Sequence, residues 1–150
     1  MTDYSHSSHT VFYHRFHIVW ITKYRFKVLQ GDLRTRVRAI IAQAAEDIGV
    51  RIVNGVLSAD HIHLMVEIPP HISVSEFVKA AKGRSSRKIQ QEFPDIGKKY
   101  WGRHVWGRGF FSSTSGNVTD DIINNYINNH SDAHKSDNLM NISLEYPCDF

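Results

Sequence analysis

Residues 61–68 are the segment that most narrows what this chain can fold into. Aliphatic side chains alternate with other types along it, in the order His-Ile-His-Leu-Met-Val-Glu-Ile. This period of two predicts a β-strand with one buried face. Because alternate side chains of a strand project from the same side, His61 and His63 are expected to share the other face. Two neutral imidazoles on a rigid face can bind a divalent metal and leave coordination positions open, although the pair alone does not establish a metal site.

The order of the predicted elements places this strand inside an antiparallel sheet. Hydrophobic spacing and turn residues predict strands at residues 14–22, 50–57, 61–68 and 109–114, and helices at residues 33–48, 73–93 and 122–130. Ser58, Ala59 and Asp60 form a connection short enough for a hairpin. The second helix opens with a capping box, in which Ser73 and Glu76 satisfy amide groups of the first turn. The order β-α-β-β-α-β-α matches a ferredoxin-like split β-α-β arrangement, an α+β fold with helices on one face of an antiparallel sheet and here an extra C-terminal helix.

Length and composition set the limits within which a function can be sought. A chain of 150 residues predicts a single domain over residues 1–150. Residues 131–150 lack a hydrophobic period and are expected to form a tail or a swapped arm. Apolar runs are too short to span a membrane and the N-terminus lacks the apolar centre of a signal peptide, so we expect a cytoplasmic protein. Cys148 is the only cysteine, which excludes an internal disulfide and a cysteine-based zinc site.

The formal net charge of +3 is small, but basic residues cluster along the chain. They concentrate at residues 23–27, 79–88 and 98–108, and the first and third of these stretches also contain aromatic residues. Lys and Arg suit phosphates, and aromatic rings suit stacking on unpaired bases. Single-stranded nucleic acid is therefore one expected partner, and an ordinary solvated surface is the alternative.

The second predicted helix carries candidate contacts to phosphate. They are Lys82, Arg84, Arg87 and Lys88, with ordinary surface charge as the competing interpretation. Gly83 interrupts the same helix at a cost of about 1 kcal/mol relative to Ala, which predicts a close backbone approach at that position.

The third predicted helix carries a possible nucleophile and a possible ligand. Tyr126 and His130 are four residues apart and so share one helical face. A phenol with a pKa of about 10 is a weak nucleophile, but beside a metal-bound phosphate it can attack phosphorus and form a phosphotyrosine. Taken singly, such a tyrosine is more often a packing residue and such a histidine more often a helix-end cation. The combination with His61 and His63 is more specific than any member.

Several segments together resemble the single-tyrosine HUH transposases, which are encoded by small insertion sequences that move as single-stranded DNA. The resemblance covers roughly residues 10–130. The matching segments are residues 13–24, Asp60-His61-Ile62-His63-Leu64, Lys82-Gly83-Arg84-Ser85-Ser86, residues 106–111 and residues 124–130. An Asp-His-x-His segment followed about sixty residues later by a helical tyrosine is distinctive as a combination. REP-associated tyrosine transposases, host-adapted relatives that process palindromes, would share the chemistry but not the element mobility.

The resemblance implies a homodimer that recognises hairpins in single-stranded DNA and cuts one strand without ATP. His61 and His63 would bind a divalent metal, expected to be Mg²⁺ or Mn²⁺. Tyr126 would attack the scissile phosphate, become joined to the 5′ phosphate and release a 3′ hydroxyl that can later reverse the reaction. In this family the tyrosine helix can serve the metal site of the partner subunit.

His130 departs from the family pattern, which commonly has Gln as a further ligand four residues after the nucleophile. An imidazole still binds metal, but three nitrogen ligands favour borderline transition metals over magnesium, which prefers oxygen. Alternatively His130 is not a ligand, and Asn129 or water completes the site.

Two roles and two further functions stay open on the sequence alone. Asp60 is either a carboxylate that orients a ligand imidazole or a turn cap. His14 and His17 have no assigned role, because a separation of three puts them on opposite faces of a strand. The competing functions are a non-catalytic single-stranded nucleic-acid binding module with a structural metal, and a hydrolase that uses a metal-bound water while Tyr126 only packs.

Overall fold

The computed structural model describes residues 4–6, 9–101, 104–114 and 120–129. Its strands are β1 (Ser5–His6), β2 (Val11–Phe12), β3 (Arg15–Ile21), β4 (Arg51–Leu57), β5 (His61–Glu67) and β6 (Phe111–Ser113). Its helices are α1 (Gly31–Asp47), α2 (Val74–Glu92), α3 (Pro94–Lys99) and α4 (Asp120–Asn129), with a short 3-10 helix at Lys23–Arg25. Within these described ranges, no helix is long and apolar enough to cross a membrane.

A four-stranded antiparallel sheet organises the molecule, with the strand order β4-β5-β3-β6. Strands β4 and β5 form the expected hairpin, and β3 lies between β5 and β6. The short strands β1 and β2 pair with each other in a separate two-stranded sheet. The prediction of an α+β fold built on an antiparallel sheet is confirmed.

Helices α1 and α2 cover one face of this sheet and form the main core. Even-numbered side chains of the two central strands point into that core, including Ile18, Trp20, Ile62 and Leu64, all of them fully buried. The helices contribute Leu33, Val37, Ile41, Phe77, Ala81 and Ile89 to the same core. The two longest helices therefore lie together on one face, as the split β-α-β order predicts.

Helix α4 lies on the opposite face of the sheet. Val19 and Ile21 of β3 form a second, smaller apolar cluster with Ile123 and Ile127 of α4, and none of the four is more than 1% exposed. Because side chains alternate along a strand, the two cores are separated by the backbone of β3. The C-terminal helix thus packs where odd-numbered residues of the central strands project.

Local signals explain where the two long helices begin and end. The hydroxyl oxygen of Ser73 accepts a hydrogen bond from the Glu76 amide at 3.0 Å, and the Glu76 carboxylate accepts one from the Ser73 amide at 3.2 Å. This is the predicted capping box. After the last residue of α1, Gly49 has a φ of +81°, a left-handed conformation that a glycine adopts without steric cost.

Two features differ from the sequence-based expectations. Helix α3 was not predicted; it begins at Pro94, whose fixed φ and missing N–H suit the first position of a helix. The close approach predicted at Gly83 is wrong within the described part of the chain, because a Cβ at that position would meet no atom within 4 Å. Gly83 instead borders two open grooves along α2.

Candidate functional site

His61 and His63 project from the sheet face that α4 covers. In the antiparallel β3–β5 pairing, His61 stands opposite Ile21 and His63 opposite Val19, and both of those residues belong to the smaller apolar cluster. Directly opposed residues of an antiparallel pair point to the same side. His61 is fully buried and His63 is partly exposed. The register therefore places both imidazoles on one face, as the alternation of residues 61–68 predicts.

Asp60 fixes the orientation of the His61 ring. Its Oδ1 lies 2.9 Å from His61 Nδ1, while its Oδ2 accepts hydrogen bonds from Arg25 Nε at 3.3 Å and Arg25 Nη2 at 3.2 Å. Burial opposes ionisation of Asp60, but hydrogen bonds and charge interactions with His61 and Arg25 outweigh it and hold the pKa of this carboxyl below its usual value. Of the two roles considered for Asp60, its carboxylate contacts correspond to the orienting one.

The contact with Asp60 also determines which nitrogen of His61 is available as a ligand. An ionised carboxylate can only accept a hydrogen bond, so Nδ1–H is the donor and the lone pair of the neutral ring lies on Nε2, which is buried. Ligand histidines commonly donate one ring N–H to a carboxylate and bind metal through the other nitrogen. The surroundings of His61 therefore fit a metal ligand.

His17 is a site residue that sequence reasoning missed. Its Nδ1 lies 3.1 Å from His63 Nε2, and the two ring centroids are 5.3 Å apart. Burial lowers the pKa of His17, which favours the neutral ring in this position. The available signal was the period of two in β3: once this strand pairs with β5, His17 shares a face with Val19 and therefore with His63.

Tyr126 lies at the edge of the smaller apolar cluster. Its ring centroid is 5.9 Å from that of Phe111, and its hydroxyl oxygen is buried. Phe111 stands opposite Val19, and Val19 stands opposite His63 on the other side of β3. Two strand spacings, roughly 10 Å, therefore separate Phe111 from His63 on the same face. Within one chain, Tyr126 therefore lies on the same side of the sheet as His61 and His63.

The remaining predicted ligand, His130, lies outside the described residues. Within the described ranges, no group of three or more His, Cys, Asp or Glu side chains is placed to hold a metal ion. The described part of the chain thus offers the imidazoles of His61 and His63 as ligands, and not a closed set of four protein ligands. Such a set fits a metal whose coordination is completed by substrate oxygens, water or residues elsewhere.

Two of the basic residues of α2 contact neighbouring parts of the protein. Lys82 Nζ donates hydrogen bonds to the carbonyl oxygens of Gly107 at 2.8 Å and Gly109 at 3.0 Å. Arg84 forms an ion pair with Asp47 at 2.6 Å, which joins α2 to the end of α1. Both side chains therefore have roles within the fold.

The other two candidate phosphate contacts on α2, Arg87 and Lys88, have different surroundings. Arg87 borders both grooves along α2, including one of about 760 Å³ that Lys23 and His104 also line. Lys88 has a charge interaction with Asp47 at the end of α1. The groove lined by Arg87 and Lys23 is positively charged and lies on the side of α2 next to α3.

Glu67, at the far end of β5, has a separate environment. Its carboxylate accepts a hydrogen bond from Ser5 and forms ion pairs with Arg15 at 3.2 Å and Arg51 at 3.3 Å. These contacts join β1, β3 and β4 at the end of the sheet away from His61. Although Glu67 shares the histidine face by alternation, its partners hold it away from the paired imidazoles.

Comparisons of sequence identify the family to which the chain belongs. A family model described as IS200-like transposase matches residues 10–130. The transposase for insertion sequence element IS200 of Salmonella typhimurium is 36% identical over 147 residues, which covers 98% of this chain and 95% of that protein. The ISDra2 transposase TnpA of Deinococcus radiodurans is 30% identical over 117 residues, which covers 78% of this chain and 84% of that protein.

Comparisons of structure give the same result. A crystal structure of a Deinococcus radiodurans R1 protein, described as a transposase, superposes with a TM-score of 0.76 at 29% identity and covers 83% of this chain and 96% of that chain. A REP-associated tyrosine transposase bound to a REP hairpin has the same fold, with a TM-score of 0.51 at 16% identity over 82% of this chain and 72% of that chain.

The fold and the relatives define the class of the protein as a transposase, an enzyme that cuts DNA and transfers strands. Within this class the chain belongs to the IS200-like transposase family. The resemblance recognised in residues 10–130 is thereby confirmed.

Proposed function

We propose that this transposase cuts and rejoins single-stranded DNA through a covalent bond between Tyr126 and a 5′ phosphate. The observation that carries the proposal is the placement of Tyr126 on the sheet face of His61 and His63, one of which is oriented by a buried carboxylate. A nucleophile and a pair of metal-ligating groups on one face are the parts that phosphoryl transfer requires.

In the proposed reaction, the phenol oxygen of Tyr126 gives up its proton and forms a bond to phosphorus. The bond from phosphorus to the 3′ oxygen breaks, and that oxygen takes up a proton and leaves as a hydroxyl. Rejoining is the reverse, with a 3′ hydroxyl attacking the phosphotyrosine and Tyr126 leaving. One phosphoester bond replaces another in each step, so no ATP is needed.

His61 and His63 would hold a divalent metal, which when bound would polarise the scissile phosphate. Mg²⁺ or Mn²⁺ is the family expectation, and a third nitrogen ligand from His130 would shift the preference towards another transition metal. Asp60 keeps the His61 lone pair on Nε2, so it would prepare this ligand before metal arrives.

We also propose that the substrate carries hairpins and that the enzyme acts as a homodimer. The hairpin seen with the REP-associated relative supports the first point by analogy. On this chain, the basic residues of α2 and the neighbouring groove are the proposed phosphate contacts: Lys82, Arg84, Arg87 and Lys88. Arg87 is the strongest of these, because it shares the groove with Lys23 and His104.

The decisive experiment incubates the protein with Mn²⁺ and labelled single-stranded DNA containing hairpins, followed by a denaturing gel. We expect a protein-linked fragment with the wild-type chain and none with Tyr126→Phe, because the substitution removes only the attacking oxygen. Tyr4→Phe is the matched control, since Tyr4 is 58% exposed and directly precedes β1, outside the main sheet.

Each alternative function predicts a different gel. A metal-dependent hydrolase would give cleaved DNA without a protein-linked fragment, and Tyr126→Phe would cleave as fast as the wild-type chain. A non-catalytic binding module would give no cleavage with any variant. Either pattern would contradict the proposed role of Tyr126.

A further inference from the structure

We propose that Arg25 is a positioning residue that ties the tyrosine helix to the carboxylate holding His61. This inference goes beyond the proposed reaction and rests on it only where strand transfer is the readout. It concerns how His61 on β5 and Tyr126 on α4 are held at a fixed position relative to each other.

Arg25 directs its side-chain donors at two different acceptors. Nε and Nη2 both donate to Asp60 Oδ2, at 3.3 Å and 3.2 Å, and Nη1 donates to the side-chain oxygen of Asn128 at 3.1 Å. Asp60 in turn contacts His61, while Asn128 lies two residues after Tyr126 on α4. The guanidinium of Arg25 thus connects Asp60, which orients His61, with α4, which carries Tyr126.

The connection through Arg25 is buried. The side chains of Arg25 and Asp60 are each only 4% exposed, so their charges interact with little screening by solvent. A guanidinium can bridge two acceptors because its five N–H groups have a fixed planar arrangement, whereas a lysine ammonium at the same place is a point charge on a flexible chain. The identity of the residue therefore matters as well as its charge.

The backbone that presents Arg25 has an unusual conformation. Tyr24 and Arg25 have φ values of 60° and 54°, a left-handed conformation that is unfavourable for residues with a Cβ. Two such residues in succession persist only where surrounding contacts hold them. Thr22 supplies some of these contacts, since its hydroxyl oxygen lies within hydrogen-bond distance of two carbonyl oxygens, that of Phe26 at 2.8 Å and that of Asp60 at 3.2 Å.

The two branches from Arg25 differ in strength. The branch to Asp60 is a buried ion pair with two donors on one oxygen, whereas the branch to Asn128 is a single hydrogen bond to a neutral amide on an exposed residue. The Asn128 branch is therefore the one that can be broken without unfolding the protein, and it isolates the positioning effect on α4.

The test compares Asn128→Ala with Asn125→Ala, a matched change at another exposed asparagine of α4. Hydrogen exchange of the α4 peptide is measured by mass spectrometry, and Mn²⁺ affinity is measured without DNA. We expect Asn128→Ala to accelerate α4 exchange about tenfold, as for loss of a hydrogen bond to a charged group, and to leave Mn²⁺ affinity unchanged. Asn125→Ala should match the wild-type chain, and Asn128→Asp, which keeps an oxygen acceptor, should restore protection.

Arg25→Lys tests both branches at once. We expect faster α4 exchange together with weaker Mn²⁺ binding, because the ammonium cannot serve Asn128 and Asp60 together. In strand-transfer assays, Asn128→Ala should lower the rate of adduct formation at saturating DNA while the DNA concentration for half-maximal rate stays the same.

Equal α4 exchange in Asn128→Ala and Asn125→Ala would overturn the proposal. So would an Arg25→Lys protein that keeps both wild-type exchange and wild-type Mn²⁺ affinity. Because these two measurements need no DNA, they judge the role of Arg25 even if the wild-type chain forms no adduct, a result that would count against the proposed function alone.

Discussion

At the scale of residues, the two histidines of β5 have the same type and strand but different surroundings. His61 is fully buried and contacts a carboxylate, whereas His63 is partly exposed and contacts a second imidazole. The first arrangement stabilises one tautomer and leaves Nε2 for a ligand. The second engages Nε2 of His63 with His17 Nδ1, so a metal at that nitrogen must compete with a hydrogen bond.

This competition predicts the effect of His17→Phe. Removing the imidazole frees His63 from a hydrogen bond worth roughly 0.5–1.5 kcal/mol, so we expect Mn²⁺ to bind about two- to tenfold more tightly. Mn²⁺ titration followed by electron paramagnetic resonance would measure the change. His14→Phe is the control, because His14 precedes β3 and its ring lies 5.8 Å from that of Phe12. Weaker binding in His17→Phe would instead show that His17 is itself a ligand.

At the scale of elements, α4 is the helix whose position matters most and the one least able to hold that position alone. It has ten residues, and isolated helices of this length are marginal in water. Its place on the sheet depends on packing of Ile123 and Ile127 against β3 and on the hydrogen bond from Arg25. Helices α1 and α2, by contrast, are long and pack on each other as well as on the sheet.

Replacing glycine by alanine is expected to have opposite effects on stability at two positions, one within α2 and one just after α1. Gly83→Ala should raise the free energy of unfolding by about 0.5–1 kcal/mol, because Ala favours helix and the added methyl meets open space. Gly49→Ala should lower it by about 1 kcal/mol or more, since a φ of +81° is unfavourable for any residue with a Cβ. Urea unfolding would measure both.

A gain in stability at Gly83 also bears on the neighbouring groove. If Gly83→Ala is more stable but binds hairpin DNA more weakly than the wild-type chain, the open space at this position is used by the nucleic acid. A destabilised Gly83→Ala protein would contradict the helical geometry described for α2.

At the scale of the whole molecule, the sheet separates a structural side from a chemical side. Helices α1 and α2 form the larger core on one face, while the other face carries the histidines, the smaller cluster and α4. The same chain supplies His61, His63 and Tyr126 to that face. In the single chain that the structure describes, these three residues thus lie on the same side of the sheet.

This assembly predicts the outcome of a mixing experiment. Tyr126→Phe and His63→Ala proteins, each inactive in adduct formation, should stay inactive when combined, because neither chain contains a complete site. The denaturing gel used for single variants measures the result. Recovery of adduct in the mixture would show that α4 leaves its own sheet and delivers Tyr126 to the partner subunit, as the family resemblance permits.

Several features of this protein followed from the sequence by itself. They are the alternation of residues 61–68, the capping box at Ser73 and the helical spacing of Tyr126. These features depend on the strand period of two residues, the helix period of 3.6 residues and the side chains nearby in the sequence, so they can be predicted without knowledge of long-range contacts. Together with the Asp-His-x-His segment, they were enough to predict the α+β fold and the transposase family.

Other features were decided only by the tertiary structure. The contact of His17 with His63 depends on the register of β3 against β5, and the bridge from Arg25 to Asp60 and Asn128 joins residues 35 and 103 positions apart. Local periods determine which side of an element a residue faces, but not which distant residue it meets there. That choice is made by the packing of the whole fold, because register and docking are set by many long-range contacts acting together.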